Sequence, residues 1–254
     1  MSGHAVNAPR CLVLGAGFSV AISKRMPLTD ELGQQVLDEL RADGPPGPAS
    51  GTFTGGYFEA WLSRLAEPQP DLLEHVNLRN QAWFSQITEV TWEILARRQA
   101  EVTSEAPPPW LVRLVGLCHR TQSNIVTFNY DSLIEAVTWT VALWDWKKRT
   151  RAFSWHVLRN QPEERLEAGR FGWSAADSFR LIKLHGSLDC WWVSGDLTGA
   201  TILRDTAGWA GFGTEGGGWV SNRPPGRSPF LVPPASAKSR FYANPVSPRV
   251  QWRL

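Results

Sequence analysis

Cysteine is scarce: three occur in 254 residues, far apart at Cys11, Cys118 and Cys190. An odd, scattered set builds neither a disulfide framework nor a zinc site made of C-x-x-C pairs, so no metal is expected. Two of the three lie in apolar runs, where a free thiol packs as a small hydrophobe. An excess of charge is also missing. The 26 lysines and arginines nearly balance 24 acidic residues, and no basic run is longer than Lys147-Lys148-Arg149. A net charge of +2 gives no footprint for nucleic acid or an anionic membrane, and neither is an expected partner. No apolar run approaches the roughly 20 residues that span a bilayer. The N-terminal "MSGHAVNAPR" lacks the apolar centre of a signal peptide, so a cytoplasmic location is expected. No internal repeat is visible.

What is present is a substantial apolar fraction, 43%, in a chain long enough for one large domain or two small ones. There are 14 tryptophans, among them "LWDW" and "CWW". Such rings can stack on bases or sugars, but core and half-buried packing is the preferred reading.

The run from Cys11 to Leu14 followed by Gly15-Ala16-Gly17 reads as a buried parallel strand ending in a tight turn. In "PLTDELGQQVLDELRADG", Leu32, Val36, Leu37 and Leu40 share one helical face, with Thr29 or Asp30 as N-cap and Gly44 as stop. "GPPGPASGTFTGG" is a loop. From Tyr57 to about Val102 the pattern is helical; the prolines at 107 to 109 break it, and Trp110 to His119 forms another short helix. This helical block is inserted before a second strand, "SNIVTF", and its helix "SLIEAVTWTVALW". After Lys147 the chain is polar and irregular until a third strand, "FRLIKLH". A hairpin is expected in "DCWWVSGDLTGATILRD", turning at Ser194-Gly195-Asp196. Beyond Gly208 glycine, proline and serine dominate, with "FLVPP" the one strong apolar run. Strands separated by helices imply an α/β fold with a mostly parallel sheet, whose ligands bind at the carboxyl ends of the strands.

Three motifs sit at such ends, and each also has an ordinary explanation. Gly15-Ala16-Gly17-Phe18-Ser19 can cradle a phosphate, because glycines admit close approach and the following helix offers free N–H groups. The dinucleotide fingerprint G-x-G-x-x-G is incomplete, since Val20 takes the third glycine's place, and a plain strand-to-helix turn fits as well. In Thr127-Phe128-Asn129-Tyr130-Asp131, Asp131 can cap the next helix and Asn129 can turn the chain. In Leu184-His185-Gly186-Ser187, His185 is one of five histidines. The others, His4, His75, His119 and His156, show no metal-ligand spacing.

As an ordered set, G-A-G-x-S, T-x-N-x-D and L-H-G-S resemble the motifs of the sirtuin-like family. The resemblance covers scattered patches from Cys11 to Trp192, with "FLVPP" at 230 to 234 a fourth. It implies a Rossmann-like α/β fold over a single domain, residues 1–254, with the helical insertion at about 57–120. Sirtuin deacylases carry a zinc module with two C-x-x-C pairs and read G-I-P-D-F-R after the first motif. This chain lacks those pairs and has Arg25-Met26-Pro27-Leu28-Thr29-Asp30. Both departures, and the helical block, are similar to the zinc-free sirtuin-like domains of prokaryotic anti-phage defence, members of which hydrolyse NAD.

By that similarity, NAD is the substrate and no metal takes part. Asn129 would orient the ribose or the attacking water, and Asp131 would bind the nicotinamide carboxamide. His185 would be the general base, an imidazole with an ordinary pKa of roughly 6.5 being mostly neutral near neutrality. Gly15, Ala16, Gly17, Phe18 and Ser19 would cover the pyrophosphate, with Ser19 donating a hydrogen bond; Thr127, Gly186 and Ser187 would complete the binding set. Relatives continue past the "PP" segment into a strand with a G-Y-S turn that closes the adenine side. Here the chain stops at "VQWRL", so truncation, or a wall supplied by a later region or a partner, is expected. Because unrestrained hydrolysis would be toxic, control by a homo-oligomer or a trigger protein is also expected. Two other readings stand beside this one. A noncatalytic nucleotide-binding or assembly module would bind without turnover, and a zinc-independent deacylase would need an acyl-lysine channel.

Overall fold

Short apolar runs that end in polar turns build the sheet that organises the molecule. In the computed structural model, β1 (Cys11–Leu14), β2 (Asn124–Thr127) and β5 (Arg180–Lys183) lie side by side in that order, all parallel. Their register brings Leu14, Thr127 and Lys183 level, so the three chains leave the sheet at the same edge. The structure describes residues 11–43, 57–121, 123–141, 144–145, 150–151, 179–194, 196, 201–204, 211–213 and 223–232. Gly44, the following loop, most of the polar stretch after Lys147 and most of the glycine-rich tail lie outside these residues.

The mostly parallel sheet expected from the sequence is confined to these three strands. β6 (Gly186–Trp192) pairs antiparallel with β7 (Leu203–Arg204) on one side and β8 (Ser228–Leu231) on the other, and β3 (Trp144–Asp145) with β4 (Thr150–Arg151) is antiparallel too. The hairpin is thus present, with Asp196 closing its described turn by accepting from the backbone and hydroxyl of Thr201 at 2.9 and 2.7 Å. β1 is not the buried strand expected. Among the described residues β2 is its only neighbour, and Val13 is 65% exposed.

The helical block follows its sequence pattern with two corrections. α2 (Thr29–Asp43) buries Leu32, Val36, Leu37 and Leu40 as expected. Its start is tied by Leu28 N–H donating to Glu31 Oε2 at 2.9 Å, half of a capping box. Asp30 serves a different helix: its carboxylate accepts from Phe58 N–H at 3.1 Å, at the start of α3 (Phe58–Ala66). The helical stretch from Tyr57 is also two helices. Pro68 and Pro70 remove two donors, and the chain turns before α4 (Glu74–Thr103). Asn77 closes that turn, exchanging hydrogen bonds with the backbone of Gln69 at 2.8 and 3.0 Å.

α4 is the spine, packing against α2, α3, β6 and β8, with Ile87, Thr91, Ile94, Leu95 and Val102 buried at helical spacing. α5 (Pro109–Thr121) starts on a proline whose missing N–H costs nothing there, and packs on α6 (Leu133–Val141). The tryptophans described in this core bear out the packing reading. Trp61 and Trp191 are buried, and Trp92 lies 5.1 Å from Trp191 with its indole N–H on Leu188 O. Cys118 and Cys190 are buried free thiols, Cys11 an exposed one. No described helix is long and apolar enough to cross a membrane.

Candidate active site

The three motifs meet because their strands end in register. Gly15 follows β1 and opens α1 (Ala16–Ile22); residues 128 to 132 link β2 to α6; Leu184 and His185 turn the chain from β5 into β6. Backbone bonds lock the three turns together, Phe128 N–H to Leu14 O at 3.1 Å and Leu184 N–H to Thr127 O at 3.0 Å.

Side chains then couple them. Asn129 Nδ2 donates to Gly15 O at 2.9 Å and to Ser19 Oγ at 2.8 Å. A carbonyl can only accept, so the amide nitrogen faces Gly15 and the orientation of the amide is fixed. Ser19 is buried and gives its one hydroxyl proton to Asp131 Oδ2 at 2.6 Å. Asp131 Oδ1 accepts Leu133 N–H at 3.3 Å, capping α6, so the capping role and the site role belong to one residue. Both Asn129 N–H groups are therefore used. Among the described residues no donor reaches its Oδ1, which is left as an acceptor.

His185 is nearly buried at 9% exposure, its ring 5.0 Å from that of Phe128 and 6.3 Å from that of Tyr130. It is held from behind by the "FLV" segment. His185 O accepts Val232 N–H at 2.8 Å, and the Tyr130 hydroxyl donates to Val232 O at 2.5 Å. The fourth sequence patch thus anchors two of the site's residues; Pro233 and Pro234 lie outside the described residues.

Ala16, Ser19, Asn129, Asp131 and His185 line one cavity of about 190 Å³. Gly15 and Gly17 stand at its strand-to-helix turn with no atom of the described residues within 4 Å of where a Cβ would lie and without positive φ. Neither packing nor backbone conformation calls for glycine at either position. Phe18 points elsewhere, edge-on to Trp110 at 5.7 Å. Thr127, Gly186 and Ser187 do not line the cavity; they support it. Thr127 Oγ1 accepts Asn129 N–H at 3.1 Å, and Ser187 Oγ donates to Tyr130 O at 3.3 Å. Gly186 has φ +81°, and an added Cβ would meet Phe230 O at 2.1 Å.

Two groups of residues escaped the sequence reading. Met26, Pro27, Thr29, Leu32, Glu59 and Leu95 also line the cavity, so the segment after α1 and the helical block supply much of its wall. Beneath it lies a buried charge network. Lys183 Nζ donates to Asp131 O at 2.5 Å and Tyr130 O at 3.3 Å and pairs with Glu135 at 3.2 Å. Arg204 bridges Glu135 at 3.0 Å and Asp189 at 2.7 Å. Burial alone would raise the Asp189 pKa, but the charges of Arg204 and Lys183 outweigh it and hold the carboxyl below the usual carboxylate range. Lysine and arginine amid apolar residues were the only sequence signal for this network.

No family model matches the chain, and no curated protein matches it.

Proposed function

We propose that the chain is an NAD+ glycohydrolase of the sirtuin-like type, on a Rossmann-like arrangement of β1, β2 and β5. The observation that carries this reading is the convergence of Asn129 and Asp131 from the end of β2 and His185 from the end of β5 on one cavity, beside two glycines that no described residue requires. The reaction needs little acid assistance, because the leaving pyridinium is already cationic. The bond between ribose C1′ and the nicotinamide nitrogen breaks, and its electron pair leaves with neutral nicotinamide. A water oxygen bonds to C1′, and its proton passes to the His185 imidazole. The free Asn129 Oδ1 accepts from that water or from a ribose hydroxyl, and its direction is set by the Ser19–Asp131 pair. A place in anti-phage defence, with release by a trigger or by assembly, belongs to the same proposal.

The test is nicotinamide release from NAD+ by the purified chain, beside His185→Ala and Asn129→Ala, with folding followed by circular dichroism. General bases contribute about 10² to 10⁴-fold, so folded His185→Ala is expected to lose at least ~100-fold in turnover. Equal turnover in mutant and wild type removes His185 from the chemistry. Nucleotide binding without turnover by the wild type would favour the noncatalytic module.

A further inference from the structure

The helix α4 breaks its apolar pattern beside the site. Between the buried Leu95, which lines the cavity, and the buried Val102 stands Gln99, a polar residue with no exposed surface. Its Oε1 accepts Ser132 N–H at 2.5 Å, and because a peptide N–H can only donate, the orientation of the amide is fixed. The amide Nε2 is buried as well, and no described residue accepts from it. An apolar side chain of similar length would remove that orphaned donor while orphaning Ser132 N–H, so stability alone does not call for glutamine here. Departures of this kind from the local pattern are expected at functional sites.

What Gln99 holds is one particular peptide. The N–H of Ser132 and the carbonyl of Asp131 belong to the same unit, and in a trans peptide they point in opposite directions. That carbonyl accepts Lys183 Nζ at 2.5 Å. A helix of the inserted block and a strand of the parallel sheet thus grip the peptide from its two sides, through two buried side chains. The preceding peptide is held too, Tyr130 O accepting Leu188 N–H at 2.9 Å. With both neighbouring peptides fixed, the backbone of Asp131 cannot turn. Its carboxylate is kept on Ser19, which in turn holds the Asn129 amide. The other tie of that carboxylate, from Oδ1 to Leu133 N–H, is longer at 3.3 Å.

We propose that Gln99 is a positioning residue: by fixing the Asp131–Ser132 peptide it keeps the Asp131 carboxylate on Ser19 and so sets the direction of Asn129. Its effect on turnover rests on the hydrolase reading, whereas the positioning itself does not. Gln99 is not among the described residues that line the cavity, so it acts through Asp131 and Asn129 and not on the substrate. Its loss therefore disturbs the alignment of the reacting groups more than ground-state binding, and falls on kcat more than on KM.

The experiment uses the full chain with two substitutions. Gln99→Met removes the acceptor and the orphaned donor together, and Gln99→Glu keeps an oxygen for Ser132 N–H. Nicotinamide release from NAD+ gives kcat and KM. The Asn129 side-chain amide signal in an NMR spectrum, assigned with Asn129→Ala, reports the position of that group without turnover. Gln99→Met is expected to keep its melting temperature, because one buried orphan replaces another, while kcat falls about tenfold to hundredfold with KM little changed and the Asn129 signal moves. Gln99→Glu is expected to restore both. An unchanged kcat or an unmoved Asn129 signal in folded Gln99→Met overturns the proposal. So does failure of Gln99→Met to fold, or of Gln99→Glu to restore what was lost, since either makes Gln99 a structural residue only. A wild type that releases no nicotinamide ends the hydrolase reading alone, and the Asn129 signal then decides for Gln99. Moved in Gln99→Met and returned in Gln99→Glu, it upholds the positioning; unmoved, it overturns it.

Discussion

Gly17 shows how a single residue can separate folding from function. Its backbone has no positive φ, and a side chain there would meet none of the described residues, so their packing does not call for glycine. In Gly17→Asp the new carboxylate falls in the first turn of α1, where the helix dipole favours it by about 0.3–1 kcal/mol. The melting temperature is expected to hold or rise slightly. On the proposed reading, NAD+ affinity by calorimetry should vanish, because the carboxylate occupies the space and opposes the charge of a dinucleotide. Retained affinity would remove the glycine turn from the binding surface. Ser19 needs a different account from the one its motif invites. Its only proton goes to Asp131, so it orients Asn129 and Asp131 instead of donating to a pyrophosphate.

Where β5 becomes β6, the chain leaves the parallel sheet for the antiparallel one, and Gly186 makes the corner. Gly186→Ala would place a Cβ 2.1 Å from the Phe230 carbonyl at φ +81°. The left-handed backbone alone costs about 1–3 kcal/mol. At about 2–4 °C per kcal/mol for a chain of this size, a fall in melting temperature of roughly 2–12 °C is expected. If the chain releases nicotinamide as proposed, that activity should fall as well, because the displaced segment begins at the His185 carbonyl bonded to Val232. An unchanged melting temperature would show that β8 gives way without cost. Local pattern explains why β1, β2, β5 and their helices were legible in the sequence: apolar runs, turn residues and helical spacing all act over a few positions. The role of Asp30 was not legible, since it serves α3, 28 residues on, instead of its own helix. Nor was the pairing of β6 with β8, which depends on a partner nearly 40 residues away that no local signal specifies. The site divides in the same way. Strand-end residues were readable, whereas Glu59 and Leu95 reach the cavity only through packing of the helical block.

Across the whole molecule, the nearly even charge count conceals a buried ionic centre that joins the two three-stranded sheets to α6. Lys183 from β5, Glu135 from α6, Arg204 from β7 and Asp189 from β6 balance two positive charges with two negative ones. Asp189 is fully buried, and Arg204 and Lys183 keep its carboxyl below the ordinary range. A folded-state pKa that is depressed contributes stability that is present above the unfolded value, about 3.9, and is lost as pH falls through the folded value. Asp189→Asn leaves the Arg204 charge half-paired in a dry site, a defect worth about 3–5 kcal/mol at neutral pH. Other carboxylates also protonate in acid, so the wild-type curve alone cannot isolate this residue. The difference between wild type and Asp189→Asn can. Measured by urea unfolding, it is expected to be full at neutral pH and to shrink below about pH 4, where the wild type surrenders the same charge. A difference that stays constant through that range would mean that Asp189 supports the fold by shape and hydrogen bonding instead of by charge. Because Lys183 in this network also holds the carbonyls of Tyr130 and Asp131, acid should disorder the candidate site in the same step that it unfolds the sheets.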